Sequence, residues 1–497
     1  MSEVKVIGAG FSGLSAASYL AKEGHQVSIY EKNSQPGGRA RQFSSSGYTF
    51  DMGPSWYWMP DVFERFFADF GYKVEDLYDL KLLDPSFEII YDKGQKLSIP
   101  SSYTELKDLF EQIEPGSAGK LDAFMEEAQY KYHTAMDNLV YMPGLSLTEF
   151  LDKDLLKGLL RLQVMSSFSK HIRRYFSNPK LLALMEFPVL FLGAMPQQTP
   201  ALYSLMNYAG LKLGTWYPMG GFGKVVEAMV EVAQNAGVQI HYDAPVEKIL
   251  TRGQSVTGLQ LKGRQIPTDA VVAAADYHHV EQQLLDKKLR NYKPSYWEKK
   301  VLAPSSLIFY VGINKKLNGL SHHTLFFEES FLQHSIDIYK EPAWPEKPLF
   351  YVCCPSKTDP SVAPPGHENL FFLMPLAPGL EDTHQVREQY FEIILTRLEK
   401  KINQEVRGLI DYKKSYCVSD FITDYHSYKG NAYGLANTLR QTAILKPSIR
   451  NRHLENLFYA GQLTVPGPGV PPSLISGKIA ANQIMKYLRS HQYEETL

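Results

Sequence analysis

At 497 residues the chain is two to three times the usual domain size, so at least two units share it, with room for a sizeable core. Its 52 Lys and Arg balance 53 Asp and Glu, a formal charge of −1, which gives no global signature of a nucleic-acid partner or an acidic tail. Its three cysteines, Cys353, Cys354 and Cys417, form no CxxC pair and have no histidine at zinc spacing. A reducing compartment, no disulfide framework and no metal are expected, the thiols lying in the core or at the surface.

In chain order, residues 4–7 read as a strand, 8–13 as a glycine turn, 14–23 as a helix closed by Gly24, and 27–31 as a second strand. This is a βαβ unit. It begins so close to Met1 that no targeting peptide is expected ahead of it, and a cytoplasmic location follows. A second α/β patch spans residues 216–276, with a helical stripe of Val225, Val226, Met229, Val230 and Ala233. Strands follow at 238–242, 246–250, 256–261 and 270–273, the last reading as a buried parallel strand. A third patch has a strand at 456–460, a Gly/Pro-rich turn at 461–472 and a helix at 473–489. Between these lie a mainly helical stretch and one rich in strands and aromatics. No apolar run approaches the roughly twenty residues of a membrane-spanning helix.

Gly8, Gly10 and Gly13 have the spacing of a dinucleotide turn: the first shapes it, the second lets a diphosphate approach backbone N–H groups, the third lets helix pack on strand. Phe11 and Ser12 lie within the motif. Glu31 ends the second strand, where a carboxylate accepts ribose hydroxyls, and Lys32 follows it. What selects FAD over NAD is the sequel: Gly37 and Gly38 admit backbone to the diphosphate from the other side, and Arg39 can neutralise phosphate charge. Gly53 and Pro54, in the stretch from Tyr48 through Asp51, would bring backbone to the flavin side. Gly461, Gln462, Gly469, Val470 and Pro471 would supply a loop and a helix N-terminus facing the ring or ribityl chain, and Val246 completes the set. Asp51 is a weak candidate for catalysis, weighed against a helix cap or buried structural acid; no other catalytic side chain is indicated.

With these residues in hand, the chain resembles the carotenoid desaturase family of the flavin amine oxidase superfamily, and within it the lycopene-forming bacterial phytoene desaturases. The resemblance covers nearly the whole length. It rests on the N-terminal motif with Glu31 and Gly37-Gly38-Arg39, on Phe50-Asp51-Met52-Gly53-Pro54, on Pro218-Met219-Gly220-Gly221, on Asn431-Ala432-Tyr433-Gly434-Leu435, and on the signature running from Tyr459-Ala460-Gly461 to Gly469-Val470-Pro471. It departs at Gln462, where the family often carries an aliphatic or acidic residue, so only the backbone there is a candidate cofactor contact.

The resemblance implies non-covalent FAD, flavin N5 as hydride acceptor, and stepwise desaturation of phytoene towards lycopene, the oxidant being regenerated by oxygen or a quinone. It implies an α/β chain, α+β overall: a Rossmann-type FAD domain from residues 1–72, 216–290 and 445–497, a mixed-sheet substrate domain from 73–104 and 291–444, and a helical membrane-facing subdomain at 105–215. Other carotenoid or terpenoid desaturases or oxidases, such as a dehydrosqualene or hydroxycarotenoid desaturase, would carry the same motifs. A flavin amine oxidase shares the flavin domain, and a cofactor-free carrier shares the fold.

A lipid-borne substrate calls for a membrane-facing surface. Residues 155–176 carry Lys157, Arg161, Lys170, His171, Arg173 and Arg174 among many leucines and no acid, the pattern of a helix resting peripherally on the cytoplasmic face of an anionic membrane. The same pattern also suits a helix packed in the core. Trp56, Tyr57, Trp58 and Met59, with Trp216 and Tyr217, either line the substrate cavity or pack the core. The pairs His278-His279 and His322-His323 lack a ligand partner at useful spacing and read as structural or exposed.

Overall fold

The computed structural model describes residues 1–91, 94–146, 166–190 and 193–494. Five parallel strands form the nucleotide-side sheet, in the spatial order Leu457–Tyr459, Ala270–Ala273, Glu3–Ile7, Gln26–Tyr30 and Gln239–His241. Val6 faces Ile29 on one side and Val272 on the other. All three are fully buried, as befits central strands covered on both faces. The sheet draws on three chain-distant segments, so no one of them can close it.

Helix Phe11–Lys22 carries the chain from the first strand towards the second, and Gly24, at φ +86°, makes the left-handed turn past its end. The terminal helix Val470–Glu494 crosses this first helix at Gly477. A Cβ on Gly477 would stand 2.3 Å from the Ser12 carbonyl oxygen, and Ser15 Oγ donates to Leu474 O at 2.8 Å. Helix Phe222–Asn235 packs on the first helix through the expected stripe, of which Val225, Val226, Met229 and Ala233 are buried. The strands expected at 246–250 and 256–261 do not extend the parallel sheet. As Lys248–Arg252 and Ser255–Leu261 they join Arg264–Pro267 in a separate antiparallel sheet, turned at Gly253 and Gly263.

A seven-stranded mixed sheet runs in the order Ile410–Tyr416, Ser305–Ile313, Glu368–Leu376, Phe350–Cys353, His323–Phe327, Phe87–Tyr91 and Lys96–Ile99, antiparallel except where His323–Phe327 meets Phe87–Tyr91. Strand alternation sorts its side chains into two sets. Leu307, Phe309, Phe350, Val352 and Phe372 pack with Ile394 and Leu398 of helix His384–Ile402. Ile308, Tyr310, Tyr351, Cys353 and Leu373 face the opposite way, into the core shared with the nucleotide-side sheet.

Helices Tyr103–Ile113, Ser117–Thr134, Phe168–Ile172, Pro179–Glu186 and Leu205–Leu211 fill the stretch read as helical. Of the basic amphipathic segment, residues 155–165 lie outside the described residues. In the described part, Phe168, His171, Ile172 and Phe176 are buried, and Lys170, Arg173 and Arg174 are exposed. Among the described residues no helix is long and apolar enough to cross a membrane.

The helix crossing gives the first prediction. Gly477→Val forces a side chain against backbone atoms that cannot swing aside, an overpacking cost of about 1–3 kcal/mol or more. Urea denaturation is expected to show a lower midpoint than wild type; an unchanged midpoint would contradict the crossing.

Candidate functional site

A cavity of about 370 Å³ opens between the parallel sheet and the mixed sheet. Gly8, Gly10, Phe11 and Ser12 line it from the first turn, Glu31 and Lys32 from the end of the second strand, and Gly37, Gly38 and Arg39 from the turn beyond. Gly53 and Pro54, Val246, Gly461 and Gln462, and Gly469, Val470 and Pro471 complete the wall from distant parts of the chain. Gly13 and Asp51, both named from the sequence, do not line it.

Gly13 has a different task. A Cβ there would stand 1.9 Å from Gly8 O, so the helix can start against the turn only with hydrogen at that position. Gly10 and Gly38 meet back to back: a Cβ on Gly38, at φ +55°, would lie 3.2 Å from Gly10 Cα. The Gly37 N–H donates to Ala9 O at 2.8 Å, locking the two turns together. The result is a bare backbone wall suited to a diphosphate.

Charged groups gather at this end. Glu31 Oε2 accepts the Ala9 N–H at 2.8 Å, and Oε1 accepts from Asn33 N–H at 2.9 Å and Asn33 Nδ2 at 2.8 Å. A carboxylate offers about four acceptor sites, so the pinned group retains capacity for a hydroxyl. Lys32 Nζ donates to Thr423 O at 2.6 Å. Arg39 Nη2 donates to Ser427 Oγ at 2.9 Å and Asn431 O at 3.3 Å, while its buried Nε has no partner among the described residues. Burial pulls the Arg39 guanidinium below its usual range, and the Asp276 carboxylate opposes this. With its amide oxygen turned to the guanidinium, Gln462 stands 2.9 Å from Arg39 Nη2.

The sequence did not foretell Asp276, His279, Asp424 and His426, which also line this end. His279 stacks on His426 at 4.0 Å, and burial lowers the His279 imidazole to about 3, leaving it neutral. The opposite end is apolar, with Trp56, Trp58, Met59, Met206, Ile308 and Leu373, and with the hydroxyls of Ser55, Ser306, Tyr351 and Tyr433. Of the two aromatic clusters, Trp56, Trp58 and Met59 thus face the cavity. Tyr57 turns into the core to meet Tyr78 at 2.8 Å, and Trp216 and Tyr217 lie outside the lining.

Asp51 acts as a cap. Its Oδ2 accepts the Phe222 N–H at 2.9 Å and its Oδ1 the Gly223 N–H at 3.2 Å, satisfying the start of helix Phe222–Asn235 from another strand; Gln42 Nε2 donates at 2.9 Å. This corrects the catalytic candidacy: the carboxylate is spent on backbone and faces a separate void of about 20 Å³ shared with Ser55, Tyr217 and Cys353. The histidine pairs are not exposed surface groups: His322 and His323 are buried, and one ligand atom from each lies within 4.8 Å of the Cys353 thiol on the neighbouring strand. All three cysteines are buried and unpaired.

A charged wall of bare backbone at one end and an aromatic wall at the other fit a flavin dinucleotide: diphosphate and ribose against the glycines, Glu31 and Arg39, isoalloxazine towards the aromatic end. The chain belongs to the flavin-containing amine oxidoreductase family, whose model matches residues 11–485. Within that family its relatives are carotenoid desaturases, and the chain is an FAD-dependent oxidoreductase acting on CH–CH bonds. It is 42% identical over 485 residues to the carotenoid 3,4-desaturase of Haloarcula japonica, covering 97% of this chain and 98% of that one. It is 32% identical over 495 residues to the zeta-carotene-forming phytoene desaturase of Myxococcus xanthus, covering 97% and 94%. The cyclohexylamine oxidase of Brevibacterium oxydans shares the fold, with a TM-score of 0.61 at 15% identity and coverage of 98% and 99%.

Two predictions follow from the geometry. Gly38→Val would push the two glycine turns apart, so the purified protein is expected to lose its visible flavin absorbance while keeping its far-ultraviolet circular dichroism; a fully yellow variant would contradict the cradle. Burial pushes the Asp51 carboxyl from the ordinary 3.8 up to about 6, against the donors from Phe222, Gln42 and Gly223. The folded state therefore holds that proton more tightly than the unfolded chain, a stabilisation present in full below the unfolded value and lost as pH climbs through about 6. Asp51→Asn should gain on wild type in urea stability between about pH 4 and pH 7, by up to roughly 3 kcal/mol. Parallel pH profiles would reject this.

Proposed function

We propose that the chain desaturates a linear carotenoid at the apolar end of the cavity, at the cytoplasmic face of a membrane. The observation that carries this reading is the placement of Trp56, Trp58, Met59, Ile308 and Leu373 beside the flavin-side residues Gly53 and Pro54. An apolar polyene can lie there with water excluded, whereas a soluble amine would find little to pair with its charge. Bound FAD supplies the oxidant, taking up the hydrogen and electron pair of a C–H bond. Gly10 and Gly38 would hold the diphosphate, Glu31 the ribose, and the aromatic wall the hydrocarbon.

One reaction on this reading is the conversion of phytoene towards lycopene. A second is desaturation of a carotenoid 3,4 bond, favoured by the 42% identity to the Haloarcula japonica enzyme, against 32% to the phytoene desaturase. Lipid supply is supported by the exposed Lys170 and Arg174 beside buried Phe168 and Ile172. Reoxidation falls to oxygen or a quinone.

FAD-loaded protein incubated with liposomes carrying either phytoene or lycopene, with the products resolved by absorption spectrum, separates the two reactions. Phytoene turning coloured supports the first, and lycopene shifting further to the red supports the second. Both carotenoids unchanged, together with peroxide formed from a panel of amines, would overturn the reading.

A further inference from the structure

Desaturation removes two hydrogens from neighbouring carbons, and flavin accounts for only one of them. Once a C–H electron pair has left with its hydrogen, the adjacent C–H bond must break, its electrons forming the new double bond and its proton passing to an acceptor. The charged residues that line the cavity, Glu31, Lys32, Arg39, Asp276 and Asp424, sit at the diphosphate end. At the apolar end the described lining offers hydroxyls, and one of them is backed by an imidazole: Tyr351 Oη lies 2.5 Å from His323 Nδ1 and 3.0 Å from Ser55 Oγ.

Strand alternation puts this pair where it is. Tyr351 and Cys353 project from one face of Phe350–Cys353, and His323 stands opposite Cys353 in register, so all three share the cavity side of the mixed sheet. Ser55 directly follows Gly53 and Pro54, which places the Tyr351 hydroxyl beside the flavin-side wall. Behind it, Trp56 stacks on His323 with ring centroids 4.1 Å apart and an 8° interplanar angle. The His322 ring lies 4.5 Å from that of His323, and its Nδ1 meets Thr358 Oγ1 at 2.8 Å. The Nε2 atoms of both histidines are buried with no partner among the described residues. Thr358 itself is half-buried, at the edge of solvent.

We propose that Tyr351 takes the proton released in desaturation and passes it to His323. The inference rests on the desaturase reading and adds to it a residue that touches the reacting atoms. The substrate C–H bond breaks, a new O–H bond forms on Tyr351 Oη, the old phenolic O–H breaks, and that proton binds His323 Nδ1. Phenol is restored, imidazolium is left, and the substrate has lost one hydrogen with its electron pair to FAD and one proton to the protein. Burial and the neighbouring His322 hold the His323 imidazole well below its ordinary range, so the ring is neutral, and the relay requires the tautomer in which Nδ1 accepts from Tyr351. Weak basicity is no obstacle, because a C–H bond next to a carbocation is a very strong acid. Tyr351 is the catalytic residue of this relay, and His323 acts through it.

Three measurements test the relay. In anaerobic single turnovers with a carotenoid that the wild type desaturates, Tyr351→Phe, which keeps the ring, is expected to form product at least 100-fold more slowly at unchanged carotenoid affinity and flavin content, within the usual range of acid–base assistance. His323→Gln should lie between, slowing kcat without raising KM, whereas a merely structural role would raise KM or shed flavin. Independently of turnover, ¹⁵N-histidine NMR of the protein should show His323 protonated on Nε2 with Nδ1 as acceptor, and Tyr351→Phe should shift the Nδ1 resonance. Wild-type rates in Tyr351→Phe, or the Nδ1–H tautomer at His323, would overturn the relay. So would one chelatable metal ion per chain, since His322, His323 and Cys353 would then be its ligands. If the wild type desaturates no carotenoid, the desaturase reading fails by that result alone and the relay falls with it, while wild-type turnover with an indifferent Tyr351→Phe sinks the relay only.

Discussion

Backbone pressed against backbone around Gly8 is the constraint on which the rest of this molecule depends. Gly13 reaches Gly8 O and Gly477 reaches Ser12 O too closely for any side chain, and Gly38, at φ +55°, stands tightly against Gly10. These contacts pull residues near the start, the first hundred and the end of the chain onto one point. A diphosphate needs convergent N–H groups and no intruding carbon, and close packing of bare backbone provides both. The strand Leu457–Tyr459 then closes the parallel sheet against Ala270–Ala273, and the terminal helix lies over the first.

From that point the cavity separates two chemistries. At one end, Arg39 is held by Ser427, Asn431 and Gln462, and its buried Nε, without a partner among the described residues, lies beside a wall of glycines. At the other, the mixed sheet presents Ile308, Tyr351 and Leu373 to meet Trp56 and Trp58. The first end suits charge and the second is apolar, the pairing that the proposed reaction on a hydrocarbon calls for. The motif from Asn431 to Leu435 gains a physical role here: Asn431 O receives Arg39, and Gly434 allows Gln462 to approach, a Cβ there standing 2.7 Å from Gln462 O.

The nucleotide half was legible because its determinants are local. The spacing of Gly8, Gly10 and Gly13, the carboxylate at Glu31 and the turn through Gly37 to Arg39 each act within a few residues of themselves, and short β-branched segments flank the first turn and helix. Asp51 shows where local reading stops. An acid beside a glycine-rich turn suits a cap and a catalyst alike, and only the distant Phe222 and Gly223 N–H groups decide between them. Likewise, residues 246–250 and 256–261 read as short strands with no sheet assigned, and glycine turns fold the segment into an antiparallel sheet of its own.

The sequence by itself determined the βαβ start, the glycine-lined cradle and hence the flavin dinucleotide, because those features depend on residue type and short spacing. Tertiary structure decided which side chains face that cradle from across the molecule. Tyr351, His323 and Cys353 are unremarkable in their own segments and meet only because two strands pair in one register, with alternation turning those three to the same side. Pairing register is set by the burial of whole faces rather than by any local pattern, which is why the aromatic end of the cavity and its histidines could be known only from the folded chain.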